Sequence, residues 1–99
     1  MDERLVLARI RAAVLDDRLR LTEHAHFELL EDKLLTVDAE SALLSGALHR
    51  VEPPTHLGES EPRYTIVGHG ADMNTRIGVV CRFDAGDQLV VITCYEITA

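Results

Sequence analysis

Apolar residues recur at helical spacing from Arg4 to Leu15, where Val6, Leu7, Ile10, Ala13 and Val14 share one arc of a 3.6-residue repeat. Asp2 precedes them with a carboxylate able to cap first-turn amides, so the pattern predicts a first helix there. The run Asp16-Asp17-Arg18-Leu19-Arg20 breaks the period and leads to Thr22, an N-cap for a second helix reaching to about Leu34. Thr36 then caps a short third helix, with Asp38 placed for the helix dipole and Gly46 as the C-terminal stop.

The period changes after Leu48. Val51-Glu52-Pro53-Pro54 ends any helix, and Gly58 to Pro62 is rich in loop residues. Alternating or β-rich segments follow at Arg63 to Gly68, Arg76 to Phe83 and Gln88 to Ile97. Helices followed by strands predict an α+β domain, with two to three N-terminal helices packed on one face of a three- to four-stranded antiparallel sheet. If Asp84-Ala85-Gly86-Asp87 is the hairpin loop, Phe83 faces Gln88, Cys81 faces Val90, Cys94 faces Ile77, and Arg76 lies directly across from Tyr95. That register sends Ile77, Val79, Cys81, Phe83, Val90, Ile92 and Cys94 to the core. It leaves Arg76, Val80, Arg82, Leu89, Val91, Thr93 and Tyr95 on a mixed face, where chemistry is expected. In the preceding strand, Tyr64 groups with Ile66 on the core side.

The 99 residues, 46% hydrophobic and 27% charged, fit one domain spanning residues 1–99. The longest apolar run, Ile77 to Cys81, is far short of the roughly 20 residues of a membrane-spanning helix. Asp2 and Glu3 stand where a secretory signal carries positive charge. Cys81 and Cys94 form no C-x-x-C pair, so reduced core thiols and a cytoplasmic location are expected. Ten basic against seventeen acidic residues give a net charge of −7. That disfavours a passive nucleic-acid coat, because polyanion binding is dominated by basic stripes on phosphate. Any phosphate contact must be local. Only Lys33 among the bases is a lysine, so bidentate arginine forks are at hand.

His24, Glu28 and Asp32 stand at i, i+4 and i+8 of the second helix and line one stripe. An imidazole beside a carboxylate is the equipment of a general acid–base pair; the same stripe is equally the solvated side of an amphipathic helix. His24 and His26 point about 160° apart on a helix and cannot chelate one ion together. His26 falls inside the arc of Ala25, Phe27, Leu29, Leu30 and Leu34, as a core histidine would. His49, His56 and His69 form no metal spacing, Gly68-His69-Gly70 lacks the third glycine and helix of a dinucleotide loop, and Ser41, Ser45 and Ser60 have no nucleophile elbow. No metal, cofactor or hydrolase triad is expected. Arg63, Arg76, Arg82 and Tyr95 on strands could hold a phosphate, although cross-strand Arg–Tyr packing is the plainer account.

Leu21-Thr22-Glu23-His24-Ala25-x-x-Glu28-Leu29-x-x-Asp32, then Asp38, Ala42-Leu43-x-x-Gly46, Pro62-Arg63-Tyr64 and Val91-Ile92-Thr93-Cys94-Tyr95 together resemble domain-of-unknown-function family 4258, over about Thr22 to Tyr95. The family is similar in element order to the RelE-like and BrnT-like toxins. The resemblance implies a bacterial toxin-like ribonuclease fold and a partner similar to a zinc-finger, helix-turn-helix antitoxin. Its motif positions fall on His24, Glu28, Asp32, Arg63, Tyr64 and Tyr95. Metal-independent RNA cleavage would then use His24 as acid or base, Glu28 to orient it, Arg63 and Arg76 to hold the phosphate, and Tyr95 to position or protonate the leaving group. The site is expected where the N-terminal end of the second helix meets the mixed sheet face, with His24 and Arg76 most sensitive. The competing expectation is a non-catalytic protein-binding module with the same fold, which the acidic charge favours.

Overall fold

The computed structural model describes residues 2–55 and 60–98. Helix α1 (Glu3–Leu15) begins where Asp2 Oδ1 accepts the Arg4 amide at 2.9 Å. After a turn with Asp17 at a left-handed φ of 60°, the chain enters a short strand, β1 (Leu19–Leu21). Thr22 Oγ1 accepts the Ala25 amide at 3.1 Å and starts α2 (Glu23–Glu31). That helix stops short of Leu34, because Lys33 turns left-handed at φ 57° and reverses the chain. The N-cap of α3 (Thr36–Ser45) is Leu35 and not Thr36: Asp38 Oδ2 reaches back to the Leu35 amide at 2.8 Å. Asp38 Oδ1 accepts the Ala71 amide at 2.9 Å, which ties the start of α3 to a distant loop.

Strands β2 (Ala47–Glu52), β3 (Arg63–His69), β4 (Arg76–Asp84) and β5 (Gln88–Glu96) join β1 in one sheet of order β1-β5-β4-β3-β2. The class is the α+β arrangement that the pattern predicts, with the helices N-terminal to most of the sheet and packed on it. The sheet is mixed, since β1 runs parallel to β5 while the other pairs are antiparallel. Two of its five strands lie outside the three alternating segments. Leu19-Arg20-Leu21 shows a single apolar–polar–apolar alternation, too brief to stand out against the charged run before it, and in β2 a register shift between Leu48 and Arg50 hides the alternation. His56 lies outside the described residues, as do Gly58 and Glu59 of the loop-rich Gly58 to Pro62 run.

One hydrophobic cluster joins Leu7 and Ile10 of α1, Ala25 and Leu29 of α2 and Leu43 of α3 to one face of the sheet. Tyr64 and Ile66 on β3 share that face, as alternation predicts. Helix α3 lies so close to β3 that a Cβ on Gly68 would fall 2.8 Å from Ser45 Oγ. In α2 only Ala25 and Leu29 are buried. His26 is exposed, not a core histidine, and Phe27 and Leu30 are 59% and 75% exposed, because this nine-residue helix presents a narrow stripe to β5.

The β4–β5 register differs from the expected one. The connecting turn is Ala85–Asp87, three residues long, with Gly86 and Asp87 both left-handed, so Asp84 and not Phe83 faces Gln88. Cys81 therefore faces Val91, and a bulge at Ile92 then sets Cys94 against Val79 and Tyr95 against Gly78. Arg76 is not across from Tyr95; its carbonyl accepts the Ile97 amide at 2.8 Å. Leu89 and Val91 move to the helix side, while Val90 moves to the other face. Both cysteines are buried and free, and desolvation pushes each thiol pKa up to about 12.

Candidate functional site

Every residue paired with Val80 or Arg82 stands on the sheet face away from the helical cluster, because paired residues share a face and successive residues alternate. One row across that face holds the pairs Glu52–Arg63 and Arg82–Val90–Arg20, with Arg63 and Arg82 one step beyond the Tyr64–Cys81 pair that begins the β3–β4 ladder. The next reads Arg50, Thr65, Val80, Thr93, and a third reads Ala47, Val67, Gly78, Tyr95. Val90 is 1% exposed yet lies outside the helical cluster, with Arg82 and Arg20 on either side of it. Both neighbours carry long apolar stems of the kind that cover sheet surface.

With Arg76, which pairs with His69, the strand positions of this face hold five of the ten bases and only two acids, Glu52 and Asp84. These strand positions are net +3, and the remaining five bases and fifteen acids leave net −10 for the rest of the chain. The arginines divide by task. Arg9 donates to Glu61 at 3.0 Å and to Asp87 at 2.6 Å and lies 3.7 Å over the Phe83 ring, while Arg11 donates to the Gly46 carbonyl at 3.1 Å. On the open face, Arg20 reaches Asp84 only at 3.7 Å and Arg50 reaches Glu52 only at 3.9 Å. Neither Arg76 nor Arg82 has an ion-pair partner among the described residues. Forks held this loosely can exchange their partners for a ligand's oxygens.

Tyr95 lies over Gly78: a Cβ there would stand 2.6 Å from its Cε2 and 2.7 Å from its hydroxyl. The hydroxyl end of the ring rests on bare backbone, half-exposed, on the same face as the arginines. Arg76 is its diagonal neighbour, at a separation of about 7–8 Å. Arg63 is two rows away, about 13 Å along β3.

His24 and Glu28 are placed elsewhere. Glu28 Oε1 lies 3.3 Å from His24 Nε2 and also accepts the Cys94 amide at 3.1 Å, while Asp32 Oδ2 accepts the Glu96 amide at 2.9 Å. β1 covers β5 only as far as Val91, and these two carboxylates take over the amides beyond it. The acidic stripe thus finishes a sheet edge, and among the described residues no hydrogen bond or ion pair joins His24 or Glu28 to Arg76 or Tyr95. Arg63, Arg76 and Tyr95 share the open face; His24 and Glu28 sit at its β5 border.

Sequence reasoning missed Arg20 and Arg50 because it missed their strands. For Arg20 a signal existed, a charged residue between two leucines in apolar–polar–apolar order. The fold and face define an α+β protein with a basic, helix-free sheet surface on an otherwise acidic body. No family model matches the chain, and neither a curated protein nor a solved structure is significantly similar to it.

Proposed function

We propose that the protein is a toxin-like endoribonuclease that lays RNA across its helix-free sheet face and cleaves it without a metal. The observation that carries this reading is the segregation of charge, five arginines against two acids on one face of an acidic protein. Such segregation draws a polyanion to one surface and repels it from the others.

In this cleavage the ribose 2′ oxygen bonds to the adjacent phosphorus and the bond from phosphorus to the 5′ oxygen breaks. The 2′ proton passes to a base, an acid protonates the 5′ oxygen, and a cyclic phosphate remains. Arg76 would hold the non-bridging oxygens, whose charge grows in the transition state, with the phenol of Tyr95 beside it as proton donor to the leaving oxygen. Arg63 with Arg82, about 13 Å away along β3, would hold a phosphate further along the strand. His24, 64% exposed and held by Glu28, would be the base that takes the 2′ proton where the RNA continues over the β5 edge. A second reading, a module that grips the antitoxin-like partner without catalysis, is favoured by a shallow groove of about 520 Å³ beside α3, lined by Val37, Leu44 and His69 among others.

Binding of a single-stranded RNA oligonucleotide across a salt series tests the reading. The slope of log affinity against log salt should flatten by about 0.7 for each arginine removed in Arg63→Ala and Arg82→Ala. Tyr95→Phe should bind like the wild type and cleave more slowly. Absence of RNA binding at about 50 mM salt, or unchanged slopes in both variants, overturns the proposal. Binding without cleavage favours the module.

A further inference from the structure

The two edges of the sheet are finished differently. Beyond β1, the amides of Cys94 and Glu96 on β5 are taken up by Glu28 and Asp32. At the opposite edge, β2 has β3 on one flank, and among the described residues no strand or side chain takes the backbone groups on its outer flank. Such an edge is a template for another strand.

We infer that β2 pairs with β2 of a second copy of this chain, antiparallel about a dyad through Val51. Charge selects this occupant. Pairing centred on Val51 puts Arg50 opposite the partner's Glu52 and Glu52 opposite the partner's Arg50, so two attractive cross-strand pairs form at once. Both residues stand on the same face, as their pairing with Thr65 and Arg63 shows. Val51, 38% exposed on the other face, meets its own symmetry mate. Within one copy Arg50 and Glu52 touch only loosely, at 3.9 Å and 67% and 44% exposed, so turning toward the partner loses little. Pro53 and Pro54 follow Glu52 and confine the pairing to this short stretch. The contact is correspondingly small, which makes the association reversible and concentration-dependent. A residue paired across the dyad keeps its face, so the arginine surface runs unbroken into the second copy. The inference does not depend on what that surface binds.

Sedimentation velocity of the full chain from about 10 µM to about 1 mM tests it. The wild type should rise from monomer mass toward twice that value. Arg50→Glu and Glu52→Arg each replace two attractions by two repulsions, and should move the association to roughly tenfold higher concentration. The double variant Arg50→Glu/Glu52→Arg should return to wild-type behaviour, because the dyad pairs the exchanged charges again. Independently, Val51→Cys should cross-link to its mate under mild oxidation, since directly opposed positions bring Cβ atoms within disulfide reach while Cys81 and Cys94 stay buried. A wild type that stays monomeric throughout, or a double variant no better than the single ones, overturns the inference.

Discussion

Glu28 on α2 accepts the amide of Cys94 on β5 at 3.1 Å, so a helix side chain completes a sheet edge 66 residues further along the chain. Asp32 repeats the contact one helical turn on, at Glu96. The helix rise per turn, about 5.4 Å, is close to the spacing of alternate strand residues, about 6.7 Å, which lets two carboxylates at i and i+4 serve two amides at j and j+2.

Removing this cap should cost stability directly. Glu28→Ala strands the Cys94 amide and is expected to lower unfolding free energy by about 1–3 kcal/mol, read from denaturant melts. His24→Ala, at a 64% exposed side chain, should stay within about 0.5 kcal/mol of the wild type. Equal losses in the two variants would mean that the stripe acts through the imidazole and not through the edge amides.

The seat of Tyr95 on Gly78 gives a coupled pair. Gly78→Ala places a methyl group where the ring lies and should destabilise by about 1–3 kcal/mol. In a Tyr95→Ala background the same change should cost much less. Additive losses in the double-mutant cycle would show that ring and glycine do not touch.

Tyr64, 5% exposed among the core residues of β3, should be a stability position. Tyr64→Ala is expected to cost about 3–5 kcal/mol in denaturant unfolding. An unchanged midpoint would move the ring out of the core. Burial, with the nearby Glu61 charge adding to it, raises the phenol pKa, so Tyr64 should ionise later than a free tyrosine in an alkaline absorbance titration.

Asp72 should titrate far below a free carboxyl. Its carboxylate accepts the Thr75 hydroxyl at 2.5 Å and the Thr75 and Asn74 amides at 2.9 Å, which lowers the pKa from 3.8 to about 2. A depressed folded-state pKa means that the stabilisation is fully present above the unfolded value and is lost as pH falls through the folded one. Acid unfolding should therefore show a contribution between about pH 4 and pH 2 that Asp72→Asn removes. A carboxyl midpoint near 3.8 by NMR would contradict this turn geometry.

The sequence by itself determined the elements whose signal is local. The buried arc of α1 is the predicted set, Val6, Leu7, Ile10, Ala13 and Val14, because a 13-residue amphipathic helix repeats its period often enough to be read. Thr22 as a cap, the core side of Tyr64 and the burial of both cysteines followed from the same local logic. Tertiary structure alone decided the register of the last hairpin, since two left-handed residues shorten its turn by one and a bulge at Ile92 restores the core face beyond it. The shorter turn and the bulge each displace the register by one, so Arg76 bonds Ile97 and stands two residues from its expected place across from Tyr95, on the same face, for a reason no alternation pattern carries. Tertiary structure also decided where charge goes. Arg20, Arg50, Arg63, Arg76 and Arg82 are scattered over 63 positions of an acidic chain, and only strand pairing gathers them on one surface. It likewise gave Glu28 and Asp32 to backbone amides 64 to 66 residues away, a pairing that depends on β1 ending at Leu21, where the sheet needs two more acceptors.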